Sequence, residues 1–219
     1  MDFRFIKANQ DRLDLITKGA IDTNGRLVVH PAAFWEQFST EEIAVFCVVH
    51  GLYCIPTQEL VEWLKHEIGT QPAIEIGSGN GVLAKALGIP ATDNKMQDRP
   101  EIVASYAAAG QTTVKYGPNV LRFTGEEAVR EFQPEVVVAA WVTHRYNAMT
   151  PERGGNTHGV VEQAILANVK RYLFVGNMSV HRDKPILELT HQEYYFPWLV
   201  SRAFTPKENF IGVWEPDGS

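Results

Sequence analysis

Cysteine is nearly absent: Cys47 and Cys54 are the only two in 219 residues. Two cysteines build no disulfide framework and show no paired metal-ligand spacing. Both sit in apolar sequence, which reads as reduced, buried thiols. His-x-Glu and His-Glu-x-x-His patterns are also missing, so no metal site is expected. No run approaches the ~20 apolar residues of a membrane span. The start, Met1-Asp2-Phe3-Arg4, is too mixed for a signal peptide, and a cytoplasmic location is expected. Repeats and low-complexity segments are absent. Basic residues do not dominate either: 20 Lys and Arg stand against 26 Asp and Glu, a net charge of −6. That balance argues weakly against a broad basic face for nucleic acid and leaves room for a local patch.

What the chain does have is apolar material. Hydrophobic residues make up 45% and charged residues 21%, enough for a sizeable core and too few charges for disorder. The length suits one domain, or a domain with an N-terminal extension. Ser39-Thr40-Glu41-Glu42 fits a capping box opening a helix that Gly51 is placed to end. Thr57 is a plausible cap for Gln58–Ile68, where Leu60, Val61, Leu64 and Ile68 form one apolar stripe. Val136-Val137-Val138-Ala139-Ala140 is the clearest buried strand, apolar throughout as a central parallel strand should be.

The stretch that organises the rest is Glu75-Ile76-Gly77-Ser78-Gly79-Asn80-Gly81. The apolar Pro72-Ala73-Ile74 precedes it and Val82–Leu87 comes after it, giving strand, glycine turn and helix start. Glycines let the backbone take turns a side chain blocks and bring main-chain N–H groups to a ligand. A dinucleotide fingerprint wants Gly-x-Gly-x-x-Gly; here Val82 holds the third position and Gly81 comes one residue early. Glu-x-Gly-x-Gly-x-Gly resembles the first motif of class I S-adenosylmethionine-dependent methyltransferases.

The resemblance runs from about Tyr53 to about Asn177. It implies an α/β, doubly wound, mostly parallel seven-stranded sheet with a C-terminal antiparallel hairpin. The expected organisation is an N-terminal, mostly helical extension over residues 1–69 packing on a methyltransferase-like domain over 70–219. The hairpin is expected from Trp198–Phe204 and Phe210–Trp214, and a further strand from Thr112–Tyr116.

S-adenosylmethionine is the implied cofactor, approached by Glu75, Gly77, Ser78, Gly79 and Gly81. Asp93 ends a short second strand, where doubly wound folds place a carboxylate for a ribose; a surface turn is the alternative. That strand contains Pro90 and so is expected near an edge or a bend. By resemblance Glu126 stands where an acid receives the adenine amino group, although the helix dipole alone favours an acid there. Tyr53-x-x-Pro56-Thr57 is similar to an aromatic-Thr-Pro segment of some amino-methyltransferases, which puts Tyr53 and Thr57 beside the cofactor or leaves them as loop and cap.

After the central strand come Trp141, Thr143, His144, Arg145 and Tyr146. An Asn/Asp-Pro-Pro-aromatic signature stands there in DNA and protein amino-methyltransferases; this chain has Ala-Trp-Val-Thr-His. Trp141 or Tyr146 would stabilise a sulfonium through a ring face. His144 is the candidate base, with a local structural role as the alternative. Residues 147–158 read as a lid or substrate loop. The expected function is an S-adenosylmethionine-dependent methyltransferase on a small-molecule or unassigned acceptor. The alternatives are a non-catalytic binding module of the same fold and, disfavoured by charge and motif, a nucleic-acid methyltransferase.

Overall fold

The computed structural model describes residues 9–216. The N-terminal elements are α1 (Gln10–Ala20), α2 (Ala32–Trp35) and α3 (Thr40–His50). Ser39 and Glu42 close the capping box by both of its bonds, and Gly51 ends α3 in the left-handed region. Ile16, Trp35, Phe46, Leu52 and Ile55 gather here into a core of their own. Next come β1 (Cys54–Ile55) and α4 (Gln58–Ile68), with the Thr57 hydroxyl accepting from the Leu60 N–H at 3.2 Å.

The alternating part begins with β2 (Ala73–Ile76), α5 (Val82–Leu87), β3 (Ala91–Asp93), α6 (Pro100–Ala108), β4 (Val120–Arg122), α7 (Gly125–Phe132) and β5 (Val136–Ala140). It continues through α8 (Glu162–Leu166), β6 (Arg171–Asn177), α9 (Met178–His181), β7 (Gln192–Tyr194), β8 (Val200–Ser201) and β9 (Asn209–Trp214). Seven strands form one sheet in the order β4-β3-β2-β5-β6-β9-β7. β2 to β6 are mutually parallel; β9 runs antiparallel between β6 and β7. From β2 the chain steps outward to β4, then returns to β5 and steps out the other way. The reversal leaves a crevice at the carboxyl ends of β2 and β5, where such folds bind ligands.

Strand parity explains the two core layers. Ile74, Ile76, Val137, Ala139, Tyr172 and Phe174 face α7 and α8. Val136, Val138, Leu173 and Val175 face α4 and α5, whose Leu60, Leu64, Leu83 and Leu87 cover them. Full burial of such a side chain is worth about 1.5–3 kcal/mol, so the valines of β5 anchor the switch point.

The structure differs from the sequence expectation in two places. The partner of β9 in the hairpin is Gln192–Tyr194, not Trp198–Phe204. Val200 and Ser201 instead pair with Ile55 and Cys54 in a separate two-stranded sheet, while Phe196 and Trp198 pack against the α4 layer. Thr112–Tyr116 forms no strand; the Val114 N–H donates to Gln97 Oε1 at 2.8 Å. β3 starts after Pro90 and lies beside the edge strand β4, near the sheet edge as expected. No helix among the described residues is long and apolar enough to cross a membrane.

Candidate active site

The crevice is a cavity of about 210 Å³, walled by the glycine turn, the end of β3, the turn after β5 and the segment Gly51–Pro56. Gly77 and Gly79 line it with φ of 58° and 54°. A Cβ on Gly77 would lie 2.4 Å from Val142 Cγ1, so the turn after β2 is pressed against the turn after β5. On Gly79 it would stand 3.4 Å from Val114, an ordinary contact. Gly81 stands back from this cavity. It caps α5 at φ 71°, and a Cβ there would strike Val120 at 2.6 Å.

Ser78 lines the cavity, but its hydroxyl is committed to the fold. Its Oγ accepts from the Thr92 N–H at 3.0 Å and lies 3.0 and 3.1 Å from the Glu75 and Thr92 carbonyls. Asp93 accepts from the Gly79 N–H at 3.0 Å and the Lys95 N–H at 2.7 Å. It therefore shapes the glycine turn as well as facing the cavity. Glu75 is 2% exposed and accepts from the Ala84 N–H at 2.9 Å. Burial pushes its carboxyl up to about 8, and burial raises Asp93 as well. No salt bridge pairs either carboxyl among the described residues.

Trp141 stands at the end of β5 with φ 60°, a left-handed conformation rare for a bulky residue. Its N–H still donates to the Val175 carbonyl at 2.9 Å, so the sheet ladder survives the turn. The indole packs edge-on to His181 at 5.0 Å and lies 6.2 Å from Tyr53. Its Nε1 is buried without a hydrogen-bond partner among the described residues. Burial brings His181 down to about 3, so it supports Trp141 as a neutral ring. Tyr53 is held by Tyr106 (hydroxyl to hydroxyl, 2.9 Å) and by Gln97 at 3.3 Å, with the Arg202 guanidinium 4.5 Å above its ring.

Under the turn lies a buried ion pair. Lys184 Nζ reaches Glu162 Oε2 at 2.8 Å and donates to the Val142 carbonyl at 2.8 Å; Tyr172 donates to Glu162 Oε1 at 2.8 Å. The pair pins the backbone next to Trp141 from below. Sequence reading had no signal for it, since Glu162 and Lys184 stand far apart in the chain and each alone reads as a surface charge.

Four more expected site residues lie away from the cavity. Thr57 is fully buried as the α4 cap and donates to the Trp198 carbonyl. Glu126 is ion-paired with Arg145 at 3.3 Å, and Gly125 takes the wall position instead. His144 turns its Nε2 to the Arg153 carbonyl at 3.1 Å, and Tyr146 is 41% exposed outside. The cause is the Trp141 turn together with the segment after it. Residues 143–160 fold back on themselves through Arg145 N–H to Val160, Tyr146 N–H to Asn156 and Val160 N–H to Thr143 bonds, each 2.9 Å. That bonding makes 147–158 a pinned excursion and carries a different histidine, His158, onto the cavity wall. Asn94, the residue after Asp93, donates to the His158 carbonyl at 2.9 Å, which sets His158 on the Asp93 side. The polar Asn156-Thr157-His158 within the expected lid was the available signal.

No family model matches the chain. It is 22% identical over 172 residues to tRNA N(3)-methylcytidine methyltransferase trm140 of Schizosaccharomyces pombe, covering 74% of this chain. The chain spans about half the length of that relative, 52%. Among solved structures it is similar to Thermoplasma acidophilum 1320 (15% identity, 81% of this chain and 98% of that one, TM-score 0.38). It is also similar to a SAM-dependent methyltransferase from Agrobacterium tumefaciens (11% identity, 72% and 61%, TM-score 0.34). Scores this low add nothing to the strand order. The relative's tRNA substrate overturns the expectation of a small-molecule acceptor with nucleic acid disfavoured. Net charge was a poor guide because it averages over the surface and is silent about local patches. With β9 inserted antiparallel between β6 and β7, and with the Glu75–Gly81 turn at the switch point, the chain has the fold expected from its resemblance to class I S-adenosylmethionine-dependent methyltransferases.

Proposed function

We propose that the chain is a methyltransferase that transfers the methyl group of S-adenosylmethionine to RNA. The observation that carries the reading is the single cavity joining Gly77 and Gly79, Asp93 and the Trp141 turn. Its chemistry suits the cofactor. The buried Glu75 and the partly buried Asp93 form no salt bridge among the described residues, while the cofactor brings an ammonium and a sulfonium. The turn requires glycine at Gly77, where a Cβ would strike the cavity-lining Val142. Bound there, the cofactor supplies an electrophilic methyl carbon. Gly77 and Gly79 would hold its amino-acid end, and Asp93 its ribose hydroxyls.

The protein's remaining work is alignment and exclusion of water. Tyr53 and Trp141 form an aromatic wall suited to a flat acceptor and a nearby positive charge. His144 is turned outward, and a ring nitrogen with a free lone pair needs no base to attack a methyl carbon. An acceptor of that kind, as in a nucleobase, fits the wall better than a hydroxyl does. The tRNA-methylating relative supports the same class.

Calorimetry with S-adenosylhomocysteine, followed by transfer of labelled methyl to unfractionated tRNA and mapping of the modified base, tests the reading. Binding and incorporation into RNA are expected. Binding without transfer to any nucleic acid would leave a cofactor-binding module, and no binding would remove the site.

A further inference from the structure

On the far side of the glycine turn lies a second cavity of about 310 Å³. It is bounded by the Asp22–Val29 turn, the end of α3, α5 and the segment Lys115–Asn119. Three separate parts of the chain each bring a cation to it: Arg26, Lys85 and Lys115. All three are exposed, and none forms a salt bridge among the described residues. Among the described residues Asp22 is the one carboxyl on its wall, and it already accepts from the Asn24 and Arg26 N–H groups at 2.8 and 2.9 Å. His50 adds a ring bonded to the Thr17 hydroxyl at 3.1 Å.

In a chain of net charge −6, three cations without a salt bridge around one hollow form a local positive site against the overall sign. Leu52 and Asn80 line both cavities, so this groove adjoins the cofactor crevice across the glycine turn and Leu52. We infer that the groove of Arg26, Lys85 and Lys115 holds the phosphate backbone of the RNA acceptor. The inference rests on the RNA reading above. Its chemistry is charge neutralisation without base reading: phosphate contacts position a strand, and the specificity comes from elsewhere.

The test is the salt dependence of binding to unfractionated tRNA. Each phosphate neutralised on single-stranded RNA contributes roughly 0.7 to the slope of log affinity against log salt. Three contacts give about 2, or about a twenty-fold loss of affinity between about 50 and 200 mM salt. The variant Arg26→Ala/Lys85→Ala/Lys115→Ala is expected to lower the slope by about 2 and to cut methyl transfer at physiological salt. Its affinity for S-adenosylhomocysteine should not change, because none of the three lines the cofactor cavity. Lys115→Ala alone, with about a third of the slope change, serves if the triple variant does not fold. Wild-type affinity and slope in the variants overturn the groove while leaving an RNA methyltransferase intact. A wild type that neither binds nor methylates RNA overturns both readings. Displacement of tRNA by polyglutamate at equal charge would reassign the groove to an acidic protein partner and overturn the inference.

Discussion

Glu75→Gln separates what the buried carboxyl does for the fold from what it does for the ligand. Burial raises Glu75 from an ordinary 4.5 to about 8. The folded chain therefore binds this proton more tightly than the unfolded chain. The sign comes from linkage: the contribution to stability is complete below about pH 4.5 and is lost as pH rises through 8. At about 1.36 kcal/mol per pH unit, the loss is about 3 kcal/mol at pH 7 and approaches about 5 kcal/mol above pH 8. Glutamine keeps the shape and an oxygen for the Ala84 N–H but cannot ionise. The variant is therefore expected to be more stable than wild type at pH 7 and equal to it near pH 4.5. His181 shifts the other way, from 6.5 to about 3, and removes stability as pH falls. It is present in both proteins, so the difference between their denaturant curves isolates Glu75.

A cationic cofactor should reverse the preference and ionise Glu75. Near pH 7, wild type is then expected to release on the order of one proton on binding S-adenosylmethionine. That release is read from the buffer dependence of the binding enthalpy, and Glu75→Gln should abolish it while weakening affinity. Identical pH–stability curves for the two proteins, together with binding enthalpies indifferent to buffer, would refute the assignment of Glu75 as a neutral acid awaiting a cation.

The other substitutions probe the walls of the crevice. Gly77→Ala should lose cofactor affinity by an order of magnitude or more, because its Cβ meets Val142 at 2.4 Å. Gly79→Ala bears only the left-handed backbone cost of ~1–2 kcal/mol, so calorimetry finding it the more damaging of the two would contradict this geometry. Asp93→Asn retains one acceptor oxygen for two N–H donors, and an unmet buried donor costs about 1–3 kcal/mol. Denaturation should show that loss, and cofactor affinity should fall with it. Lys184→Met leaves Glu162 buried and unpaired, a loss of about 3–5 kcal/mol. Adding Glu162→Gln, which can still accept from Tyr172, should recover much of it; a double variant as unstable as the sum of the two singles would show that they do not act as a pair.

How much of this was legible in the sequence depends on the range of the forces involved. The turn Glu75–Gly81, the Ser39–Glu42 capping box and the valine strand are written in neighbouring residues, and local sterics and hydrogen bonding decide them. The placing of Asp93 beside the turn was legible for the same reason: a carboxylate ending a strand beside a glycine turn has few other places to point. Partner choice over long distance was not legible. Trp198–Phe204 has the residues of a strand, but Phe196 and Trp198 pack on the α4 layer and Val200 is taken by β1. Thr112–Tyr116 has strand propensity, but its Val114 N–H is taken by the Gln97 side chain rather than by a strand.

The acceptor edge shows the limit most sharply. Reading outward from Ala140 assumes that the chain leaves the sheet along the strand direction, with His144 and Tyr146 overhanging the crevice. One backbone angle, φ 60° at Trp141, breaks that assumption. It is held by the Val175 carbonyl on one side and, through Val142, by Lys184 and Glu162 on the other. Side-chain propensity opposes it, so only these tertiary bonds sustain it, and strain maintained in this way is characteristic of functional sites. The ring of Trp141 thereby enters the crevice, and the excursion beyond it returns His158 to the crevice wall. The ion pair that fixes Trp141 was invisible in the sequence because its partners meet only after β6 and α8 have packed. The glycine-turn end of the crevice is thus coded locally and the Trp141 end by the assembled core, which is why the sequence pointed to a cofactor and to no acceptor.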